Sequence, residues 1–401
     1  MFVGITNRPR PYAWGSRTAI AELLGWEPSG GPEAELWLGA HRGSPSRIVD
    51  PEAIGGAVDL EAWIAADPST TLGSYAHSAR LPFLLKLLAA RSPLSLQAHP
   101  TAEKAREGFR RENETGVPLD APHRNYRDEH SKPELIYALS ERFEALCGFR
   151  TLTEYREILA ILHRRAAGVQ VAPLDALLEL VASDDALPDV VEWLSRGGDD
   201  VDAVVALVAD LAARPPAPGE DGRFDTAFAT AVDLAVEYPG DPGIVVSLLL
   251  NRVSLRRGQA LYLPAGNIHA YLSGLGVELM AASDNVLRGG LTPKHVDVPE
   301  LLNVLDFTPR ALPVLTPERP SPGLEVYRPT VPDFVLVRFG GGAPATFPLH
   351  GPAIAICTRG SVALSGASSA RLDRGSAVYI TPDEAEITLA GDGEVFVATT
   401  G

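Results

Sequence analysis

The stretch PAGNIHAYLSGLGVELMAASDNVLRGGLTPKHVD, from Pro264 to Asp297, decides how the rest of the sequence is interpreted. A Pro-Ala-Gly turn precedes a histidine, and two carboxylates and two cations follow at separations that suit strands and loops. These side chains are His269, Glu278, Asp284, Arg288 and Lys294. Imidazole and carboxylate groups are metal ligands, whereas arginine and lysine bind anions. The stretch therefore predicts a metal site beside an anion site.

The composition is that of a globular protein. The chain has 401 residues, 45% of them hydrophobic, and its mean hydropathy is close to zero, so two or three domains are expected. No apolar run approaches the roughly 20 residues of a membrane span, and the N-terminus lacks a signal pattern. Two cysteines, Cys147 and Cys357, are too few for a disulfide framework. We therefore expect a cytoplasmic protein that does not associate with membranes.

The net charge of −16 bears on the ligand. Non-specific binding of nucleic acid is driven by lysine and arginine, so a chain this acidic is not expected to bind nucleic acid. A small anionic substrate would need a local cluster of cations.

A second segment, LPFLLKLLAARSPLSLQAHP, carries side chains of metal-ligand type. It predicts a hairpin of two strands with its turn at residues 90–93. Gln97 and His99 are two residues apart, so a strand places both on one face together with Ser95. The alternative is a half-buried strand with polar residues on its wet face. Lys86 interrupts the first strand, either as an edge or snorkelling residue or as a phosphate ligand.

A third segment, YRDEHSKPE, brings a lysine and a carboxylate together. Pro133 disfavours the helical region at the residue before it, so Lys-Pro-Glu should be extended. Lys132 and Glu134 would then share one face. The alternative is a solvated ion pair, which the following apolar strand LIYALS disfavours.

Residue periodicity divides the chain into regions. One or two helical turns are expected in TAIAELLGW, residues 18–26, helices at residues 59–66 and 101–114, and a strand at Glu35–His41. Helical spacing dominates residues 150–238, strand spacing returns in YPGDPGIVVSLLLNRVSLRRGQALYL, and the segment after residue 320 again alternates as strands. The expected domains are residues 1–149 plus 239–320, a helical insert of 150–238, and a β domain of 321–401.

Pro264, Gly266 and His269 fit the PxGxxH spacing of the cupin barrel, in which a tight turn delivers a histidine to the barrel interior. The expected fold is therefore mainly β with a helical insert. It comprises a catalytic cupin (jelly-roll) barrel, an α-helical domain and a second cupin-like β domain without a metal.

Six motifs resemble those of the type I phosphomannose isomerases. They are YAWGS, ELWLGAH, SLQAH, YRDEHSKPE, YPGDPG and the long HAYLSG…SDNVLRGGLTPK stretch, and they cover roughly residues 8–310. The resemblance implies a monomeric enzyme that interconverts mannose 6-phosphate and fructose 6-phosphate through a cis-enediol. It also implies one Zn²⁺ per chain, held by Gln97, His99, Glu134 and His269.

The resemblance implies roles for further residues. Arg288 is the active-site cation that stabilises the enediolate or orients the substrate. Lys132 is a candidate for proton transfer or ring opening, and Glu278 and Asp284 are candidate acid/base carboxylates. Contacts to phosphate or hydroxyl groups, or to the pocket wall, are expected from Ser95, Lys86, Lys294, Trp14 and Glu35.

The chain departs from the family pattern at two places. His130 and Ser131 stand where the family has Asn-His before the lysine, and Ser131 cannot exchange a proton near neutral pH. Arg42 stands where proline is common. Two other hypotheses are a non-haem iron cupin oxygenase, disfavoured by Gln97 as a fourth ligand, and a non-catalytic sugar-phosphate binding or regulatory cupin.

Overall fold

The computed structural model describes residues 1–166 and 171–401. Over these ranges the chain combines helices with antiparallel sheets, so it is a mixed helix-and-sheet protein rather than a mainly β one. None of the sheets formed by the described residues closes into a barrel. Nor does any helix in those ranges have both the length and the apolarity needed to cross a bilayer.

The strands of the described residues, in chain order, are β1 (Phe2–Thr6), β2 (Glu35–Leu38), β3 (Arg47–Ile48), β4 (Phe83–Ala90), β5 (Leu96–Ala98), β6 (Glu134–Ala138), β7 (Arg142–Phe149), β8 (Leu250–Arg256), β9 (Ala260–Leu263), β10 (His269–Ala281), β11 (Leu287–Gly290), β12 (Val314–Leu315), β13 (Glu318–Ser321), β14 (Leu324–Tyr327), β15 (Val335–Phe339), β16 (Gly342–Pro348), β17 (Ala353–Arg359), β18 (Ser361–Ser365), β19 (Ser369–Asp373), β20 (Ala377–Ile380), β21 (Glu386–Gly391) and β22 (Glu394–Thr399). The α-helices of the same ranges are α1 (Ala19–Leu24), α2 (Leu60–Ala66), α3 (Pro68–Leu72), α4 (Ala102–Glu114), α5 (Leu152–Arg165), α6 (Ala172–Leu180), α7 (Leu187–Arg196), α8 (Asp199–Ala213), α9 (Asp225–Glu237), α10 (Gly243–Leu249) and α11 (Val298–Val304).

Strand β10 is the element around which the first large sheet is built. Its beginning pairs with β5 and β7, and the part from Gly274 onward pairs with β4 and β6. The register shifts between Tyr271 and Ser273, and Gly274 has a φ of +124°. A Cβ on Gly274 would lie 2.8 Å from the Phe143 ring and 2.9 Å from the Phe143 Cα. The strand therefore bends at a glycine, and one continuous strand serves two groups of partners.

The predicted hairpin over residues 81–100 is wrong. Strands β4 and β5 both exist, but each pairs with β10 rather than with the other. Strand β4 is also paired with β2 on its second side, so Lys86 lies in an interior strand and not at an edge. The two strands are close in sequence, but their common partner lies far along the chain, and local spacing does not reveal it.

Helices α5–α10 cover one face of this sheet. The predicted helical region is confirmed, and Thr151 caps the first of these helices, where its side chain accepts from the Glu154 N–H. One apolar run predicted as strand, GIVVSLL, is instead helix α10, and all seven of its residues are buried. A short, uniformly apolar run carries no periodicity that separates a strand from a buried helix. The chain returns to the sheet with Leu250 paired to Phe149.

The segment after residue 320 is β-rich, as expected. Its larger sheet has the strand order β13-β14-β15-β22-β17-β20-β1-β3, and a smaller sheet has the order β16-β21-β18-β19. An apolar core lies between these two sheets, and a second core joins the larger one to the sheet around β10. The first strand of the chain, β1, pairs with β20 and so belongs to this sheet.

Candidate metal centre and active site

Strand β10 aligns several predicted site residues in one row. His269, its first residue, lies opposite Gln97 of β5 on one side and Cys147 of β7 on the other. Arg288 of β11 lies opposite Gln97 in turn. Directly opposed residues of antiparallel strands project from the same face. His269, Gln97 and Arg288 therefore share a face across three strands.

The turn before His269 is tied to a second predicted ligand. Gly266 has a φ of +80°, and its N–H donates to the carbonyl of His99 at 2.8 Å. A Cβ at this position would lie 3.2 Å from the Val304 carbonyl oxygen. The Pro-Ala-Gly turn thus fixes the backbone of one histidine against that of the other.

His99, Glu134 and His269 form a buried cluster. The two carboxylate oxygens of Glu134 lie 3.1 Å from His99 Nε2 and 3.3 Å from His269 Nε2. All three side chains are at most 3% exposed, and their ligand atoms lie within 4.8 Å of one another. Within the described ranges this is the group of histidine, cysteine and acidic residues with the spacing of a metal site.

The tautomers of both histidines fit a cation between them. His99 Nδ1 donates to the carbonyl of Asn285 at 2.8 Å, and His269 Nδ1 donates to the carbonyl of Asn267 at 3.1 Å. Each Nε2 is then left with a lone pair that faces an acceptor-only carboxylate, and both Nε2 atoms are buried with no hydrogen-bond partner among the residues that the structure describes. Two imidazole lone pairs and a carboxylate that point toward one another repel, and a cation bound between them would remove this repulsion. The residues present therefore fit a metal ion.

Burial keeps His99 in the form that binds metals. Burial, followed by the nearby charge of Lys132, lowers the pKa of His99 to about 4 against the opposing charge of Glu134. Burial alone would raise the pKa of Glu134, but the nearby charge of Lys132 holds it well below its usual range. Near neutral pH the cluster therefore offers neutral imidazole and ionised carboxylate.

Lys132 lies beside the cluster, as the Lys-Pro-Glu unit predicted. Its Nζ is 2.9 Å from Glu134 Oε1, and the lysine side chain is 10% exposed, so the solvated-pair alternative is wrong. Ser131 is half-buried next to it, and the neighbouring His130 is exposed.

A second buried network surrounds Lys86. Its Nζ lies 2.9 Å from Glu278 and 3.8 Å from Glu35, and Trp37 Nε1 donates to Glu35 at 2.6 Å. Burial alone would lower the pKa of Lys86, but the two carboxylates hold it above its usual value. Burial, reinforced by Glu134 and Glu35 and opposed by Lys86, raises the pKa of Glu278. The network therefore keeps a charged lysine next to a carboxylate of increased basicity.

Asp284 is held by a histidine that the sequence analysis passed over. His41 Nε2 lies 2.9 Å from Asp284 Oδ1, and the backbone N–H of Asp284 donates to Asp128 at 2.8 Å. Burial alone would raise the pKa of Asp284, but the hydrogen bond and charge of His41, with the charge of Lys132, lower it. His41 ends the ELWLGAH motif, which was the available signal.

Tyr271 is a further residue that the sequence analysis missed. It lies two residues after His269 on the same strand, its ring centroid is 6.0 Å from that of His269, and its hydroxyl is buried. Burial, followed by the charges of Glu278 and Glu134, raises its pKa well above the usual value. The two-residue strand spacing that linked Gln97 to His99 also predicts this position.

The remaining predicted residues lie around these networks. Trp14 is half-buried and packs against the apolar cluster that contains Tyr271, and Ser95 is half-buried just before β5. Lys294 is exposed on the loop after β11. A cavity of about 440 Å³ opens beside Asp284. Its charged and imidazole lining residues are His41, Arg42, Glu61, Arg80, Arg127, Asp128, His130 and Asp284.

Comparisons with known proteins find relatives that match nearly the whole chain. Residues 3–152 match the family described as phosphomannose isomerase type I, catalytic domain. The chain is 36% identical to mannose-6-phosphate isomerase of Escherichia coli (strain K12), over 98% of this chain and 97% of the relative.

Solved structures resemble the whole chain. A mutant of phosphomannose isomerase from Salmonella typhimurium superposes with a TM-score of 0.87 at 32% identity, over 100% of this chain and 99% of the other. A zinc-bound mannose 6-phosphate isomerase superposes with a TM-score of 0.86 at 32% identity and the same coverage.

Proposed function

Since this chain belongs to the mannose-6-phosphate isomerase family, also called the type I phosphomannose isomerases, we propose that it is a zinc-dependent aldose–ketose isomerase. It interconverts mannose 6-phosphate and fructose 6-phosphate through a cis-enediol. The observation that carries this proposal is the buried His99–Glu134–His269 cluster with both Nε2 atoms unpaired, and with Lys132 in contact.

The proposed metal ligands are Gln97, His99, Glu134 and His269. Gln97 is included because it lies opposite His269 and shares its face. Bound zinc supplies a redox-inert Lewis acid that polarises or orients the sugar oxygens. The other functions of the site fall to the side chains around this set.

The isomerisation requires a proton to move between C2 and C1, with proton exchange at the two oxygens. Glu278 is a proposed base because burial raises the pKa of its carboxyl, and Lys86 holds it in place. Asp284, fixed by His41, is the second candidate carboxylate. Lys132 is proposed to move a proton at the ring oxygen or a hydroxyl oxygen, and Arg288 to stabilise the enediolate or orient the substrate.

Further contacts to substrate are proposed for residues at the edges of these networks. Lys294 and Ser95 would contact phosphate or hydroxyl groups, and Lys86, Glu35 and Trp14 would contact hydroxyl groups or line the pocket. Lys86 contacts both Glu35 and Glu278, and Glu35 also accepts from Trp37 Nε1, so Glu35 and Lys86 are positioned before any substrate binds.

We also propose the cupin assignment of the architecture. The sheet around β10 forms the catalytic unit from residues 1–149 plus 239–320, residues 150–238 form the helical unit, and residues 321–401 form a second cupin-like unit. The enzyme is proposed to be cytoplasmic and monomeric, and to act on a small sugar phosphate that is used in GDP-mannose biosynthesis.

A non-catalytic sugar-phosphate binding or regulatory protein is the second candidate, favoured by Ser131. A serine beside Lys132 removes the imidazole that the family pattern has there. The retained carboxylates and Lys132 supply other proton-transfer groups, so we expect turnover in spite of it.

Fructose 6-phosphate formation by the purified protein tests both functions. We expect activity in the zinc-loaded protein, its loss on chelation and its recovery when zinc is restored. A zinc-loaded protein that binds mannose 6-phosphate saturably without turnover would favour the binding protein, and one that does neither would refute both.

A further inference from the structure

Three cations beside the proposed site, Arg127, Arg288 and Lys294, form no ion pair with the residues that the structure describes. They are close enough for their charges to act on one another, and Arg127 also acts on the Asp284 carboxylate. Partial burial, followed by the charge of Arg127, lowers the pKa of Arg288. The pKa of Lys294 is lowered first by partial burial and then by the charges of Arg288 and Arg127. In a chain of net charge −16, such a cluster is stabilised when an anion binds.

Hydrogen bonds hold Arg127 in this position. Asn125 Nδ2 donates to Asp297 Oδ2 at 2.7 Å, and the Tyr126 hydroxyl donates to Glu300. The backbone N–H of Arg127 donates to Asn285 Oδ1 at 2.7 Å. Three consecutive residues are therefore fastened to the segment that carries the other two cations. The Arg127 side chain stays half-exposed, and it lines the cavity beside Asp284.

The cluster begins next to the proposed ligands and extends outward. Arg288 lies opposite Gln97 in the sheet, whereas Lys294 is exposed on the loop that follows. A six-carbon sugar phosphate is arranged in the same order from end to end, because its reacting carbons lie at the opposite end from the phosphate on C6. Placing C1 and C2 at the metal end leaves the phosphate near the outer cations.

We propose that Arg127 is a phosphate-binding residue, which together with Lys294 holds the 6-phosphate while Arg288 lies between them and the metal ligands. The assignment rests on the isomerase function proposed above. Arginine suits this position because its planar fork donates two parallel hydrogen bonds to one phosphate. Arg127 binds the non-reacting end of the substrate, and the site therefore prefers phosphorylated sugars to unphosphorylated ones.

The test compares Arg127→Gln, Arg127→Lys and a matched control, Arg42→Gln, each loaded with zinc. Arg42 lines the same cavity but is not among the charges that act on Arg288 or Lys294. Two quantities are measured: KM and kcat for mannose 6-phosphate, and the dissociation constant of inorganic phosphate by calorimetry. Circular dichroism melts confirm that each variant is folded.

Loss of a charge-assisted hydrogen-bonding pair should raise KM and the phosphate dissociation constant about 10-fold to 100-fold in Arg127→Gln. The change in kcat should be smaller, and Arg127→Lys should fall between wild type and Arg127→Gln. Unchanged phosphate affinity, or an equal loss in Arg42→Gln, would overturn the assignment. Absence of turnover in the wild type would refute the isomerase function separately, because phosphate binding is measured without it.

Discussion

The sheet around β10 and the larger sheet of the segment after residue 320 are both antiparallel, yet they bury different groups. Between the C-terminal sheets the core consists of aliphatic and aromatic side chains and one cysteine. Along β10 the buried set includes Glu134, Lys132, Lys86 and Glu278. Burying charge is costly unless each group is paired, and here each of these four contacts a partner. The comparison indicates that burial of paired charges along β10 costs stability, a cost that the apolar core between the C-terminal sheets does not carry.

Replacing one ion-paired carboxylate in each region, buried Glu134 in the first and partly exposed Glu394 in the second, should test this comparison most strongly. Glu134→Gln removes a proposed ligand and leaves Lys132 without its partner, so we expect zinc content and isomerase rate to fall at least about 100-fold. Glu394→Gln removes the carboxylate that binds Arg338 at 2.6 Å, and should cost about 1–3 kcal/mol in free energy of unfolding with little change in rate. Elemental analysis, enzyme assay and urea unfolding supply the measurements. Retention of metal by Glu134→Gln would contradict the ligand assignment.

The two cysteines report on the two regions separately. Cys147 lies opposite His269 in the metal region, and Cys357 lies in β17. Burial raises the pKa of the Cys147 thiol to about 12 and that of Cys357 to about 11, so both should react slowly at pH 8. If metal at about 100 times its Kd stabilises only the first region, chelation should speed labelling of Cys147 by up to about 100-fold.

The labelling experiment uses the single-thiol variants Cys357→Ser and Cys147→Ser with a thiol-specific chromogenic reagent. Labelling of Cys357 should change little on chelation. Equal acceleration at both thiols would mean that the metal stabilises the molecule as one cooperative unit rather than one region of it.

A glycine substitution in each region should produce the smallest of the three effects. Gly274 and Gly342 both have strongly positive φ values, +124° and +117°. A Cβ added at Gly274 would clash with Phe143, whereas a Cβ added at Gly342 would have no heavy atom of the described residues within 4 Å. We expect Gly274→Ala to cost more than the about 1–3 kcal/mol of backbone strain that both share. Urea unfolding of the two variants measures the difference. Equal costs would show that the bend in β10 tolerates a side chain.

Sequence reasoning was most successful for residues two positions apart along extended backbone. Gln97 was paired with His99 by this spacing, and Lys132 with Glu134 by the same spacing and the effect of Pro133; the structure places Lys132 against Glu134. The meeting of these segments with His269 depended on the family resemblance, because strand pairing between distant segments has no local signature. For the same reason the hairpin of residues 81–100 was wrong.

Other features could not be predicted from local patterns. His41 reaches Asp284 only through the packing of two segments that are 243 residues apart. Arg127 carries no local signal of a binding role, because the Asn285 side chain that holds its backbone N–H lies 158 residues further along the chain. Helix α10 was missed because its uniform burial removes the polar face that makes a helix recognisable.

Because Phe149 pairs with Leu250, the helical region between them could in principle be replaced by another domain. Residues 150–249 leave the sheet and return to it at points about 5 Å apart, so their termini are as close as those of a domain suited to insertion. Another domain with similarly close termini could replace them without moving a proposed ligand, provided that it brings an apolar surface. That surface would have to cover Leu96, Ala98, Ile268 and Ala270, which pack against the present helices. The architecture thus allows the cover of the sheet to be exchanged while the metal centre is retained.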